Sequence, residues 1–153
     1  MMTNEERKAA TAANAKQAEA EKAGAVSIST PEVAKIDHLE SVPLAQLLAR
    51  VQQLADEGYR LVTMTCNDIG GAFEVLYHFD RDLAMRHLSV TLPADAKLPS
   101  ISGIYLCAFL VENEIVDLFG LQVDGLALDY KGRLVLTADA NQRPLLKQRE
   151  AGG

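Results

Sequence analysis

Asp68 and His78 bracket a glycine turn, and a carboxylate facing an imidazole across a hairpin would make a general acid–base pair. His78 and His87 could share a zinc ion if adjacent strands brought them together with an acid nearby, because zinc takes imidazole and carboxylate ligands. The ligand count is short for that, and a turn aspartate with two surface histidines on strands is the simpler assignment. Cys66 and Cys107 lie 41 residues apart with no C-x-x-C, which excludes a self-contained four-cysteine zinc or iron–sulfur site. Two buried, reduced thiols are expected instead. The motifs G-x-S-x-G, G-x-x-x-x-G-K-[ST], H-E-x-x-H and G-x-G-x-x-G are absent. Gly70-Gly71 is followed by no residues that would cradle a phosphate. No catalytic, metal or cofactor residue is assigned on these grounds.

The stretch Glu112-Asn113-Glu114-Ile115-Val116-Asp117-Leu118-Phe119-Gly120 is locally inconsistent. If a helix continues to Leu118, three carboxylates lie toward its C-terminal end. The macrodipole there is already negative, so each acid costs a few tenths to about 1 kcal/mol. Glu114 and Asp117, three apart, share a side of the helix and repel. Breaks of this kind mark functional positions. A cation would repair it, supplied either by Lys131 and Arg133 of the same chain or by another protein.

Hydrophobic periodicity gives the elements that must position these residues. Leu44, Leu47, Leu48, Val51 and Leu54 recur at helical spacing, with Ser41 as a cap, Pro43 in the first turn and Gly58 as the stop, predicting a helix over about 42–57. Arg60 to Asn67 reads as a strand with Val62, Met64 and Cys66 on one face. Asn67 to Gly71 is a turn, and Ala72 to Asp80 alternates with Phe73, Val75, Tyr77 and Phe79 on one side. A third strand follows over Met85–Leu92, its Leu88, Val90 and Leu92 pointing inward and Pro93 ending it. A second helix is expected over about 101–118, buried on more than one face because Ile104–Val111 is apolar all round, with Gly120 as its stop. Arg133 to Thr137 could add an edge strand. The predicted fold is α+β: a two-layer sandwich of helix, three-stranded antiparallel meander and helix, with extended N- and C-terminal tails.

The chain has 153 residues, 48% of them apolar, which suits one domain with a core. Aromatic residues are 5% and Trp is absent, leaving few platforms for stacking bases or sugars. Lys and Arg number 15 against 21 Asp and Glu, a net charge of −6, the wrong sign for a nucleic-acid binder. That charge is unevenly spread: residues 25–130 hold 15 acids and 6 bases, whereas residues 131–153 hold five bases and two acids. An acidic body therefore carries a basic tail. Residues 1–30 form an Ala/Glu/Lys-rich lead-in, helical or disordered, with too little apolar surface to dock. Residues 31–130 form the α+β domain and 131–153 the basic extended tail. The longest apolar run, Ile104–Val111, is far short of a membrane span, and no signal peptide is apparent, so the chain is expected on the cytoplasmic side.

Phe73-Glu74-Val75-Leu76-Tyr77-His78, followed by Glu112-x-Glu114-x-x-Asp117-Leu118-Phe119-Gly120, resembles the 30 kDa subunit family of respiratory complex I and its membrane-bound group 4 [NiFe] hydrogenase relatives. Asp68 and the proline-bounded loop before the second helix also fit, and the resemblance spans about residues 36–130. It implies a subunit with no cofactor of its own, packed against a hydrogenase-like large subunit and a small iron–sulfur subunit. Complex I members usually continue after Phe-Gly with Gly-His-Pro-Asp-Leu-Arg-Arg, whereas here Gly125-Leu126-Ala127-Leu128-Asp129-Tyr130-Lys131-Gly132-Arg133 follows. In that departure the chain is similar to the small fourth subunit of Ech-type energy-converting hydrogenases.

The expectation is thus a non-catalytic scaffold subunit, peripheral on the cytoplasmic side of a membrane complex. Iron–sulfur clusters and a nickel–iron site would lie in partner subunits, a ferredoxin-like subunit would be a further partner, and contact with membrane subunits would be indirect. Nucleic acid is not expected. Glu112, Glu114, Asp117 and Phe119 are the expected partner-interface residues, the acids meeting Arg or Lys and the phenylalanine an apolar pocket. Lys131, Arg133 and Arg143 of the tail would lie over acidic parts of a partner. The rivals are the equivalent subunit of an NADH:quinone oxidoreductase, a free-standing enzyme using Asp68 and His78, and a stand-alone interaction module.

Overall fold

A computed structural model describes residues 38–147. The expectations for the lead-in (1–30) and for the last residues of the tail (148–153) lie outside the described residues.

The described residues open with a short strand, β1 (Leu39–Ser41), and a 3-10 turn over Leu44–Gln46 that leads into helix α1 (Leu47–Asp56). Leu47, Val51 and Leu54 are buried at helical spacing, while Leu48 sits at the edge of the stripe and is exposed. Ser41 does not cap the helix; it ends β1, and the helix begins later, after Pro43. Gly58 stops α1 in the left-handed region (φ 85°). There the Tyr59 N–H reaches the Leu54 carbonyl and the Gly58 N–H reaches that of Ala55, the paired bonds of a Schellman motif.

Three long strands follow, β2 (Arg60–Asp68), β3 (Ala72–Arg81) and β4 (Ala84–Pro93), each antiparallel to the next. β1 adds to the far edge of β4 in parallel, so the sheet has four strands in the order β1-β4-β3-β2 where three are predicted. Leu61 pairs with Phe79 and Thr63 with His78, leaving Val62 as an extra, bulged residue. A bulge shifts the inside–outside alternation by one. Val62 is therefore 48% exposed although Met64 and Cys66, with which its spacing groups it, are buried. At the β2–β3 turn the Asp68 carboxylate accepts the Gly70 N–H at 2.9 Å, and Gly70 and Gly71 supply positive φ.

Past β4, a short strand β5 (Lys97–Pro99) pairs in parallel with β6 (Gln122–Asp124), and between them runs helix α2 (Ala108–Phe119). α2 starts seven residues later than the expected start at about residue 101. Ile101 to Cys107 instead form turns, because Ser100 and the Ile101 amide fold back to bind Glu112 on the helix itself. Leu106 (67% exposed) and Leu110 (48%) face outward, so the helix is not buried on all sides. Gly120, at φ 72°, ends it as expected. Arg133–Thr137 forms no strand.

One core joins the two helices to one face of the sheet. Leu47, Val51 and Leu54 of α1 and Ala108 and Ile115 of α2 share it with Phe73, Val75, Tyr77, Phe79, Leu88, Val90 and Leu92. The architecture is mixed α and β, with helices against a four-stranded sheet. Cys66 is buried, but Cys107 is exposed rather than buried.

Candidate interface around the second helix

The buried polar side chains of α2 account for the locally inconsistent stretch. Glu112 is wholly inaccessible to solvent, with Ser100 Oγ–H donating to its Oε2 at 2.6 Å and the Ile101 N–H donating to Oε1 at 2.7 Å. With the Ser100 proton committed to Glu112, the 2.6 Å contact between Ser100 and Ser102 is one in which Ser102 donates. The Ser102 oxygen in turn accepts the Ala127 N–H at 3.0 Å. Burial pushes the Glu112 carboxyl above its ordinary value, against the hydrogen bonds from Ser100 and Ile101 that favour the ionised form.

One position on, Asn113 donates from Nδ2 to the carbonyls of Phe109 (2.7 Å) and Leu128 (2.8 Å), and its Oδ1 accepts the Tyr130 N–H at 2.9 Å. Asp117 is buried and accepts the Val135 N–H at 2.8 Å. The Leu118 carbonyl, one of the helix's unpaired C-terminal acceptors, takes the Leu145 N–H at 3.0 Å. Asp68, in the distant β2–β3 turn, accepts the Lys147 N–H at 2.9 Å.

Together these bonds lay residues 125–147 as a strap across α2. The strap has no regular secondary structure after β6, and what fixes it is its own backbone N–H and C=O groups paired with side chains of the domain. Many of its side chains are thereby left outside: Leu128, Tyr130, Lys131, Arg133, Val135, Arg143 and Leu145 are exposed. Tyr130 stacks on Phe109 with ring centroids 6.4 Å apart.

The expected interface residues therefore fall into two groups. Glu112 and Asp117 are inside; hydroxyl and backbone donors meet both oxygens of Glu112 and one of Asp117, whose Oδ1 is buried without a hydrogen-bond partner among the described residues. Among the described residues, neither they nor Glu114 makes a salt bridge; Lys131 pairs instead with Asp129 at 2.7 Å, and Arg133 has no ion pair. Glu114 is exposed, and Phe119 is half-buried, edge-on to Phe73 at 6.4 Å. Arg143 lies across Gly120 so closely that a Cβ there would collide with its side chain. Motif and strap are thus brought together through Asp117 and also through Ser102 and Asn113, uncharged residues that a reading by charge passes over. Asn113 stands in plain view between the two glutamates. A helical asparagine among apolar residues is the signal that could have found it, since its side chain can serve two backbone groups at once.

The two candidate chemistries fare differently. Asp68 pairs in register with Phe73, while His78 lies five residues further along β3, about 16 Å away at the rise of a strand. The hairpin thus separates the acid–base pair, and the Asp68 carboxylate is committed to the Gly70 and Lys147 amides. His78 and His87 do meet as direct cross-strand partners, Nδ1 to Nδ1 at 2.7 Å. Burial, and then the neighbouring His87, hold the His78 pKa below its ordinary value. No group of three metal-ligating side chains assembles there or elsewhere among the described residues.

No helix among the described residues is long and apolar enough to cross a membrane. A structural neighbour is a chain of the membrane-bound sulfane sulfur reductase (MBS), an archaeal respiratory membrane complex. It is 22% identical, has a TM-score of 0.56, and the match covers 72% of this chain and 69% of that one. At that identity the likeness is one of fold. No curated protein sequence matches. The family model described as respiratory-chain NADH dehydrogenase, 30 Kd subunit, matches residues 40–153, taking in the sheet, both helices and the whole strap. Domain and strap together make this chain a member of the 30 kDa subunit family of respiratory-chain NADH dehydrogenase.

Proposed function

We propose that the chain is a non-catalytic scaffold subunit of a membrane-anchored, ferredoxin-linked energy-converting complex of the [NiFe] hydrogenase type. It sits on the cytoplasmic side and packs against a hydrogenase-like large subunit and a small iron–sulfur subunit. The iron–sulfur and nickel–iron centres belong to those neighbours, and this chain's part is to hold them in register. The observation that carries the reading is the strap. A segment whose backbone is spent on its own domain, and many of whose apolar and basic side chains face outward, is built to meet another surface. Membership of a respiratory-chain subunit family and a fold shared with a chain of an archaeal respiratory membrane complex support it. The apposed face on the partner would be acidic where it meets Arg133 and Arg143, and apolar where it meets Leu128, Val135 and Leu145.

The second reading is the equivalent subunit of an NADH:quinone oxidoreductase, favoured by the family's own description. Against it stands the sequence after Phe119-Gly120, where Gly125 to Arg133 replaces the Gly-His-Pro-Asp-Leu-Arg-Arg run usual in complex I. Native purification of the tagged chain, with mass spectrometry of the co-purifying subunits, tests both. A nickel-ligating large subunit is expected. A quinone-site large subunit would support the second reading, and recovery of the chain alone would refute both.

A further inference from the structure

Between the end of α2 and the last turn of the strap lies a cavity of about 600 Å³, a size at which proteins hold ligands or side chains of partners. Its lining includes Phe73 and Phe119, whose rings meet edge to face, the amides Asn141 and Gln142, and the cations Arg143 and Lys147. Among the described residues no acid lines it, although the body of the chain is strongly acidic. Arg143 and Lys147 form no salt bridge with any described acid. Both are held in place by backbone bonds. The Lys147 N–H is tied to Asp68, and the Arg143 carbonyl accepts the Leu146 N–H at 3.1 Å. Arg143 sits at φ 56°, a left-handed conformation unusual for arginine, which lays its side chain over Gly120 at the mouth of the cavity. Two cations with no salt-bridge partner among the described acids, beside an aromatic pair, make a site of the opposite sign to the domain that carries it.

We infer that this cavity receives an acidic segment of a neighbouring subunit, with a carboxylate set between Arg143 and Lys147 and an adjoining apolar side chain against the half-buried Phe119, whose ring Phe73 backs from the core. The half-buried Phe119 in the lining favours a peptide over a small inorganic anion, because an anion alone would leave the open part of that ring in contact with water. The inference rests on the scaffold reading and adds to it the place and chemistry of one contact.

Carbodiimide treatment of the native complex tests it, since this reagent joins a lysine ammonium to a carboxylate only when the two are in direct contact. Lys147 is expected to couple to an Asp or Glu of another subunit. Lys147→Arg should abolish that cross-link while leaving the complex intact, and Lys147→Glu should lower recovery of the complex about tenfold or more, with the circular dichroism of the purified chain unchanged. Coupling of Lys147 only to acids of its own chain, or full assembly of the Lys147→Glu variant, would overturn the inference while leaving the scaffold reading standing. Recovery of the chain alone would overturn both. Saturable binding of inorganic phosphate or ATP to the purified chain, with shifts confined to Arg143 and Lys147, would reassign the cavity to a small anion and likewise overturn it.

Discussion

The side-chain oxygen of Asn113 accepts the backbone N–H of Tyr130 at 2.9 Å, seventeen residues along the chain. With its amide nitrogen on the carbonyls of Phe109 and Leu128, one helical side chain does for the strap what a neighbouring strand does for a sheet.

Asn113→Ala is expected to cost about 2–3 kcal/mol, since it strands a carbonyl and an amide of the strap. Asn113→Asp keeps the acceptor for Tyr130 but turns a buried carboxylate oxygen toward the carbonyls of Phe109 and Leu128, and should cost at least as much near neutral pH. Urea unfolding measures the loss. Limited proteolysis should show cleavage within residues 126–136 accelerating in both variants, at least as much in the aspartate one.

Glu112 carries a pH dependence whose sign follows from its burial. Because burial raises its folded-state pKa, the folded protein binds a proton more tightly than the unfolded chain does. The associated stability is fully present below the unfolded value of about 4.3 and is lost as pH rises through the window up to the folded value. Glu112→Gln can still accept from Ile101 and can donate to Ser100. It should flatten that slope and stay within about 1 kcal/mol of the natural protein near neutral pH, whereas Glu112→Ala should cost about 2–4 kcal/mol. An unchanged slope in Glu112→Gln would show that another group sets it.

Gly120 is constrained twice, by φ 72° and by Arg143 above it. Gly120→Ala should destabilise by about 1–3 kcal/mol. Adding Arg143→Ala should return the steric part and leave the conformational part, so the double-mutant cycle should give a coupling of at least about 0.5 kcal/mol. Strict additivity would mean that the arginine side chain moves aside freely.

The Tyr77 hydroxyl is buried without a hydrogen-bond partner among the described residues, and burial, followed by the charge of Glu112, pushes its pKa up. Tyr77→Phe removes a polar atom that gains nothing from its surroundings. It should stabilise the protein by about 1 kcal/mol, seen as a higher urea midpoint with an unchanged m-value.

Periodicity made α1 and the three long strands legible, because Leu47, Val51 and Leu54, and Phe73 to Phe79, bury one face at the spacing of their element. β1 was hidden because three residues carry no period and its partner, β4, lies nearly fifty residues away. The bulge at Val62 leaves no mark in composition. The start of α2 was misplaced because Ile104–Val111 looks helical on apolarity alone, while the competing demand, Glu112 drawing Ser100 and Ile101 toward itself, is a tertiary contact. The acid-rich stretch stands out in the sequence because its charge pattern is at odds with a helix end. Its resolution cannot be read locally, since the donors to Asp117 Oδ2 and Asn113 Oδ1 are backbone amides, which every position but proline possesses. The strap was seen only as a basic tail for the same reason: a segment anchored by its main chain leaves no pattern of side chains.

Laying the strap down inside its own domain also changes the thermodynamics of association. Ordering a loose polypeptide costs about 1–2 kcal/mol per residue in backbone entropy, and a tail that froze only on docking would charge that loss against every encounter. Here the freezing is completed during folding by Asn113, Asp117, the Leu118 carbonyl and Asp68. Whatever surface the strap meets, it meets as a rigid template.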